Sequence, residues 1–426
     1  MYFKPQLKMI LVALACVTFN SQLIAAPSKA SSIVETKVVQ HYTTLAHTIF
    51  EDALITAKAL DATLAAFIES PSQASLEKAQ LAWKAARIPY LQSEVFRFGN
   101  PNVDDWEGQV NAWPLDEGLI DYVAQDYAHE EGNTGATANI VAAKSIKVGN
   151  KTIDTTSITP KFLAEINELG GSEANVATGY HAIEFLLWGQ DLNGTQAGAG
   201  ERPYTAFITG DQCTGGHCER RIQYLKAASS LLINDLQDMV AQWAPSTDNY
   251  RAKFEGLPKK EALTRILYGM GSLSLGELAG ERMKVALDAN SPEDEQDCFS
   301  DNTHHSHYFN AKGVQNLYDG QYQRANGQLM QGLGIAALVE PADPALHKSM
   351  QAALQKTEQA LNAIVTLAEK DEPMKFDQLI APNNTKGEAI VQEGIMALVN
   401  QAQSIEQVAK AVGIDNLNPD TSEHHF

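Results

Sequence analysis

Almost every long segment of this chain repeats its apolar residues at the three- and four-residue steps of a helix. "SSIVETKVVQHYTTLAHTIFEDALITAKALDATLAAFIE" is one amphipathic run, and "SLEKAQLAWKAARIPYLQSEVFRF" is a second, with a kink expected at Pro89. "ITPKFLAEINELGG" carries Thr159 as a cap, Pro160 at the first helical position and glycines at its end. Further helices are expected in "GYHAIEFLLW", "RRIQYLKAASSLLINDLQDMVAQWAP", "PKKEALTRILYGMGSLSLGELAGERMKVAL", "DPALHKSMQAALQKTEQALNAIVTLAEK" and "KGEAIVQEGIMALVNQAQSIEQVAKAVG". Asp343 and Pro344 open one of these, and Gly413 ends the last. Strand signals are sparse: "SIKVGNKTI", inside a polar excursion at 128–158, has a Gly-Asn centre suited to a small hairpin. The expectation is an all-α protein of two antiparallel helical bundles packed together, with that hairpin as a minor excursion. Their bounds would be 31–195 and 220–413, with a linker at 196–219 and a tail at 414–426.

Residues 1–30 read as a secretory signal peptide: Lys4 and Lys8, an apolar run, then small residues. A lipid anchor at Cys16 fits poorly, because the apolar run continues to Phe19. No other stretch reaches the roughly 18 apolar residues of a membrane span. The mature protein is therefore expected to be exported, either free or tethered. Loss of Lys4 and Lys8 takes the formal charge from −20 to −22 for residues 27 onward, and no basic patch supports a nucleic-acid partner. Acidity of this size serves solubility, or forms a field that attracts cations. Beyond Cys16, the cysteines are Cys213, Cys218 and Cys298. "CTGGHC" is spaced for a local disulfide in an oxidising compartment, or for a zinc site with His217; Cys298 is left over and expected to be buried.

Chemistry-bearing residues are concentrated in a few blocks. His181 and Glu184 lie three apart in "GYHAIEFLLWGQD" and share a helix face. Such a pair can be structural, or can bind iron or zinc. Its apolar surroundings favour a function, since an unpartnered charge there would cost several kcal/mol. Arg87 and Glu94 are seven apart on one face, where Arg87 could pair Glu94 or orient an acidic ligand. Asp116 and Glu117 follow Trp113 and Pro114 at an expected helix start, which capping would explain. Glu277 and Glu281 are like charges four apart, tolerable on a wet surface or stabilised by a cation. "DCFSDNTHHSHYFN" sets Asp301, His304, His305 and His307 in a loop before the next helix, as an exposed polar loop or as metal ligands. There is no His-Glu-x-x-His, P-loop, Gly-x-Ser-x-Gly, dinucleotide fingerprint or EF-hand loop.

Taken together, these blocks resemble the imelysin family. "GYHAIEFLLWGQD" is similar to its Gly-x-His-x-x-Glu signature. "WKAARIPYLQSEVFRFG", "WPLDEGLIDYV", "GELAGERM" and "DCFSDNTHHSHYF" resemble its iron-regulated protein A branch, over about residues 35–412. The resemblance implies an all-helical, two-bundle protein of the periplasm or outer membrane, linked to iron acquisition, in a family named for a peptidase. It places the signature on Gly179, His181 and Glu184, with Arg87, Glu94, Asp116, Glu281 and His304 as companions.

Three functions follow as expectations. A binding protein would hold iron, zinc or a metal-bearing ligand between the bundles through His181 and Glu184, completed by Glu281, Asp116 or His304. A zinc metallopeptidase would use the same pair, with Glu94 or Glu281 as general base. A structural or interaction partner of an outer-membrane uptake system would use the motif only for folding.

Overall fold

The computed structural model describes residues 29–127, 129 and 131–425. The expected leader, with Cys16, lies outside the described residues except for positions 29 and 30, which begin the first helix.

Helix α1 (Lys29–Glu69) forms because Val38, Tyr42, Leu45, Ile49, Ala53, Ala57, Leu60, Leu64 and Phe67 recur at helical steps, and all are buried. Each large apolar side chain among them contributes about 1.5–3 kcal/mol by leaving water. Helix α2 (Gln73–Ser93) opens on a capping box of Ser72 and Ser75, runs through Pro89 and tightens into a 3-10 turn at Glu94–Phe96. Helix α3 (Pro101–Val110) precedes the polar excursion, which contains the anticipated hairpin of β1 (Ser145–Val148) and β2 (Lys151–Asp154), with Val148 opposite Lys151. Helix α4 (Pro160–Ile166) is capped by Thr159, which accepts from the amide of Phe162. The signature forms α5 (Gly179–Trp188).

Helices α6 (Cys218–Trp243) and α7 (Tyr250–Glu255) lead to one long helical rod. It begins as α8 (Lys259–Ser272), continues as a π-helix over Leu273–Lys284 and ends as α9 (Val285–Ala289). Helix α10 (Thr303–Asp319) is followed by a second hairpin, β3 (Gln321–Gln323) with β4 (Leu329–Gln331). A short α11 (Ala336–Val339) precedes α12 (Pro344–Ala368), where Asp343 accepts from the amides of Ala345 and Leu346. Then come α13 (Phe376–Leu379) and α14 (Thr385–Ala411), the latter closed by Gly413 at φ +84°.

The architecture is all-α, with two small antiparallel hairpins as its strands among the described residues. Among the described residues, three apolar cores hold it. Ala53 to Phe67 of α1 pack with α2, α5 and Tyr224 to Leu236 of α6. Val38 to Phe50 of the same helix pack with α8, Trp243 at the end of α6, and parts of α10, α12 and α14. The π segment, α12 and α14 meet at Leu278, Met283, Leu361, Ile395 and Leu398. The tail crosses the π segment, where the amide of Asp420 donates to Ser272 and His424 meets Glu281 at 2.9 Å. Among the described residues, no helix is long and apolar enough to cross a membrane.

Candidate functional site

The signature glycine has a steric reason. Gly179 starts α5 at φ +77°, and a Cβ there would lie 2.3 Å from the carbonyl oxygen of Val110 at the end of α3. Thr178 fastens the same junction by donating to the carbonyl of Gln109 at 2.6 Å. The backbone contact turns His181 and Glu184 inward together. His181 Nδ1 lies 2.8 Å from Glu184 Oε2, and the amide of Ser300 donates to Glu184 Oε1 at 3.0 Å. Both side chains are at most 1% exposed.

The partner that joins them is Asp297. Its Oδ1 is 4.0 Å from His181 Nδ1 and 2.8 Å from Nη2 of Arg87. Its Oδ2 accepts from Asn302 at 2.9 Å and from the Ser306 hydroxyl at 2.6 Å. Arg87 lies among three aromatic rings, with its guanidinium carbon 5.5 Å from Trp83, 5.6 Å from Tyr90 and 5.1 Å from Tyr180. Its Nη1 donates to Asn111. Burial lowers His181 to about 3 and pushes Glu184 well up, so both tend to neutrality. Asp297 goes the other way: although burial opposes its charge, Arg87 and its hydrogen bonds hold it at about 2. The motif is therefore a buried polar knot with one ion pair at its centre.

Ligand atoms of His181, Glu184 and Asp297 lie within 4.8 Å of one another, close enough for a metal ion. As placed, Asp297 holds the guanidinium of Arg87, while His181 and Glu184 hold each other. His181 Nε2 is buried without a hydrogen-bond partner among the described residues, so one donor of the group is uncommitted, whereas Asp297 Oδ1 is already taken by Arg87.

Hydrogen bonds and ion pairs carry the knot outward. Asn111, held by Arg87, donates to Glu107 at 3.0 Å. Arg97 lies 3.7 Å from Glu107 and 3.2 Å from Glu277. Arg282 meets Glu277 at 2.7 Å and Glu94 at 2.6 Å. The π-helix makes the Glu277–Arg282 contact, because its i→i+5 bonding brings residues five apart onto one face.

Asn111, Glu107, Arg97, Glu277 and Arg282 also line a cleft of about 910 Å³. Among the described residues, eleven of those lining it are aspartate or glutamate and two are arginine, so carboxyl groups far outnumber its fixed cations. Asp116, Glu117 and Glu281 belong to its wall. Asp116 accepts from the Tyr127 hydroxyl at 3.1 Å and from Asn133. Burial pushes Glu117 up to about 7 and raises Glu107 and Glu293. Neighbouring carboxylates add to each rise: Glu293 and Asp116 act on Glu117, Glu94 and Glu277 on Glu107, and Asp191 and Asp294 on Glu293.

Several expectations are corrected. Arg87 and Glu94 do not pair: Arg87 turns to Asp297 and Glu94 to Arg282, since tertiary partners offer each a closer opposite charge. Asp116 precedes a 3-10 turn at Glu117–Leu119 but makes no side-chain cap, its carboxylate being used by Tyr127 and Asn133. The zinc alternative at Cys213, His217 and Cys218 is overturned by a Cys213–Cys218 disulfide; Cys298 is free and buried. His304, His305 and His307 lie on the first turns of α10, not in a loop, because Thr303 already begins the helix.

The four residues expected as metal ligands are not brought to one point. His181 and Glu184 lie in the knot, Glu281 pairs His424 at the cleft, and His304 meets Glu369 at 2.9 Å elsewhere. Sequence reasoning missed Asp297, Asn111, Glu107 and Arg282. Asp297 is the first residue of the histidine-rich block "DCFSDNTHHSHYFN", so the block was visible although the residue was not singled out.

Comparisons with known proteins bear on the family and the fold. The imelysin family model matches residues 46–405. Iron-regulated protein A of Synechococcus elongatus is 23% identical over 318 residues, covering 72% of this chain and 68% of that protein. Two solved structures share the fold. An iron-regulated protein A precursor from Parabacteroides distasonis has TM-score 0.63 and 19% identity, covering 91% of this chain and 97% of that one. An imelysin-like protein from Psychrobacter arcticus has TM-score 0.60 and 14% identity, covering 92% and 99%. With the signature glycine, histidine and glutamate placed in one buried knot and the family model spanning most of its length, this chain belongs to the imelysin family.

Proposed function

We propose that this protein is an exported binding protein of iron acquisition, and that its ligand, a metal ion or a metal-bearing molecule, sits in the acidic cleft above the signature. The observation that carries this reading is the cleft itself: among the described residues, eleven acidic residues and two arginines around about 910 Å³, joined through Asn111 to the Arg87–Asp297 pair. That volume is in the range of small-molecule sites, roughly 300–1,000 Å³, and is far larger than a bare ion needs. Carboxylates suit a hard cation, while Arg97 and Arg282 suit the anionic groups of a chelate around it. The signature residues then lie behind the cleft: Asp297, beside His181, holds Arg87, and Arg87 holds Asn111 in the cleft lining.

Two further observations support the reading. The Cys213–Cys218 disulfide fits an oxidising compartment, as export to the periplasm or the outer-membrane surface would provide. The relative from Synechococcus elongatus bears the name iron-regulated protein A. Burial of the motif weighs against a zinc peptidase, whose metal needs an open position for water and substrate. Interaction with a membrane uptake component would be the natural use of a loaded cleft.

The test is metal analysis of freshly purified protein, followed by equilibrium dialysis of stripped protein against ferric citrate. Asp116→Asn/Glu281→Gln should weaken uptake at least tenfold, and folded His181→Ala should retain most of it. Uptake unaffected by the cleft variant but abolished in folded His181→Ala would move the ligand into the knot and overturn the proposal.

A further inference from the structure

We propose that His304, His305 and Glu369 form a second metal site, separate from the cleft, that takes a divalent transition-metal ion. One ligand atom from each residue lies within 4.8 Å of the others, although Glu369 is 65 positions from His304 and arrives from the end of α12. The donor set is two imidazoles and one carboxylate. That set suits iron(II), zinc(II) or cobalt(II), whereas calcium and magnesium favour oxygen ligands.

His304 is 1% exposed, its Nε2 lies 2.9 Å from Glu369 Oε1, and its Nδ1 has no hydrogen-bond partner among the described residues. The side chain of Glu369 is 52% exposed, so the group opens to solvent and an ion can enter. His305 Nδ1 is engaged by Asn302 Oδ1 at 3.0 Å, which fixes the ring and leaves Nε2 for a metal.

Two contacts define how this site would behave. Asn302 also donates to Asp297 at 2.9 Å, so the amide that orients His305 touches the central carboxylate of the signature knot. Lys375 Nζ lies 3.3 Å from Glu369 Oε1 and competes for the same carboxylate. An incoming ion must displace that ammonium, so removing it should tighten binding.

The experiment titrates metal-free full-length protein with Co²⁺, read by visible absorption and calorimetry. The wild type and the cleft variant Asp116→Asn/Glu281→Gln should both bind Co²⁺ at this site, with the ligand-field spectrum of nitrogen coordination. His305→Ala and Glu369→Gln should each weaken it at least tenfold; Glu369 is exposed enough that its amide variant should keep the native circular dichroism. Lys375→Met should bind several-fold more tightly. Unchanged affinity in Glu369→Gln or in Lys375→Met would overturn the proposal. So would loss of the bound Co²⁺ on deleting residues 424–426, which would assign it to the terminal histidines.

Discussion

Replacing Arg87 with methionine keeps an apolar stem between Trp83, Tyr90 and Tyr180 but removes the cation. Asp297 would then be a buried carboxylate without its 2.8 Å partner, and Asn111 would lose its donor. Breaking a buried pair from one side costs roughly 3–5 kcal/mol. Asn302 and Ser306 still donate to Asp297, which places the expected loss near the lower end, about 3 kcal/mol. Arg87→Met/Asp297→Asn should recover about 2 kcal/mol relative to the sum of the single changes, because it removes the stranded charge.

The pH dependence has a definite sign. In the wild type, Asp297 is held at about 2, below its ordinary 3.8, so its contribution is present above pH 4 and lost as pH falls toward 2. Without Arg87 the buried carboxyl rises above its ordinary value, and its charge becomes a penalty that grows with pH. The deficit of Arg87→Met should therefore be largest at pH 7 and shrink toward pH 4. Urea unfolding followed by far-ultraviolet circular dichroism at the two pH values measures both quantities. A cost under about 1 kcal/mol, or additive single changes, would refute the ion pair as the centre of the knot.

Two other outcomes are expected. Gly179→Ala should lower stability by about 2–3 kcal/mol or prevent folding, since a left-handed φ and a 2.3 Å approach to Val110 combine there; an unchanged melting temperature would contradict the steric account of the signature glycine. Asp377 is buried, and burial, with Asp301 and Asp191 nearby, pushes it to about 8. A raised acid contributes stability at low pH that is lost as pH rises through 8, so Asp377→Asn should raise the melting temperature more at pH 8 than at pH 5.

Helical periodicity carried most of the fold. Thr159, Asp343, Pro344 and Gly413 bound their helices as their capping chemistry dictates, and the Gly149–Asn150 turn closes the anticipated hairpin. The second hairpin had a signal of its own in Asn326–Gly327, a turn dipeptide between short runs. The π-helix had none, because a change from i→i+4 to i→i+5 bonding leaves the apolar pattern of "GSLSLGELAGERMK" readable as an ordinary helix.

The site was legible in parts. Spacing along one helix brought His181 to Glu184, but pairing across 210 positions, as between Arg87 and Asp297, is set by tertiary packing and leaves no local pattern. For the same reason Arg87 and Glu94, well placed for each other on one face, found other partners.

The most direct test of the central claim is anomalous scattering at the iron edge from crystals loaded with ferric citrate. The account predicts a peak inside the cleft, near Asp116, Glu117 and Glu281, with Arg87 still bound to Asp297. A peak between His181, Glu184 and Asp297, with the Arg87 side chain swung away, would contradict it.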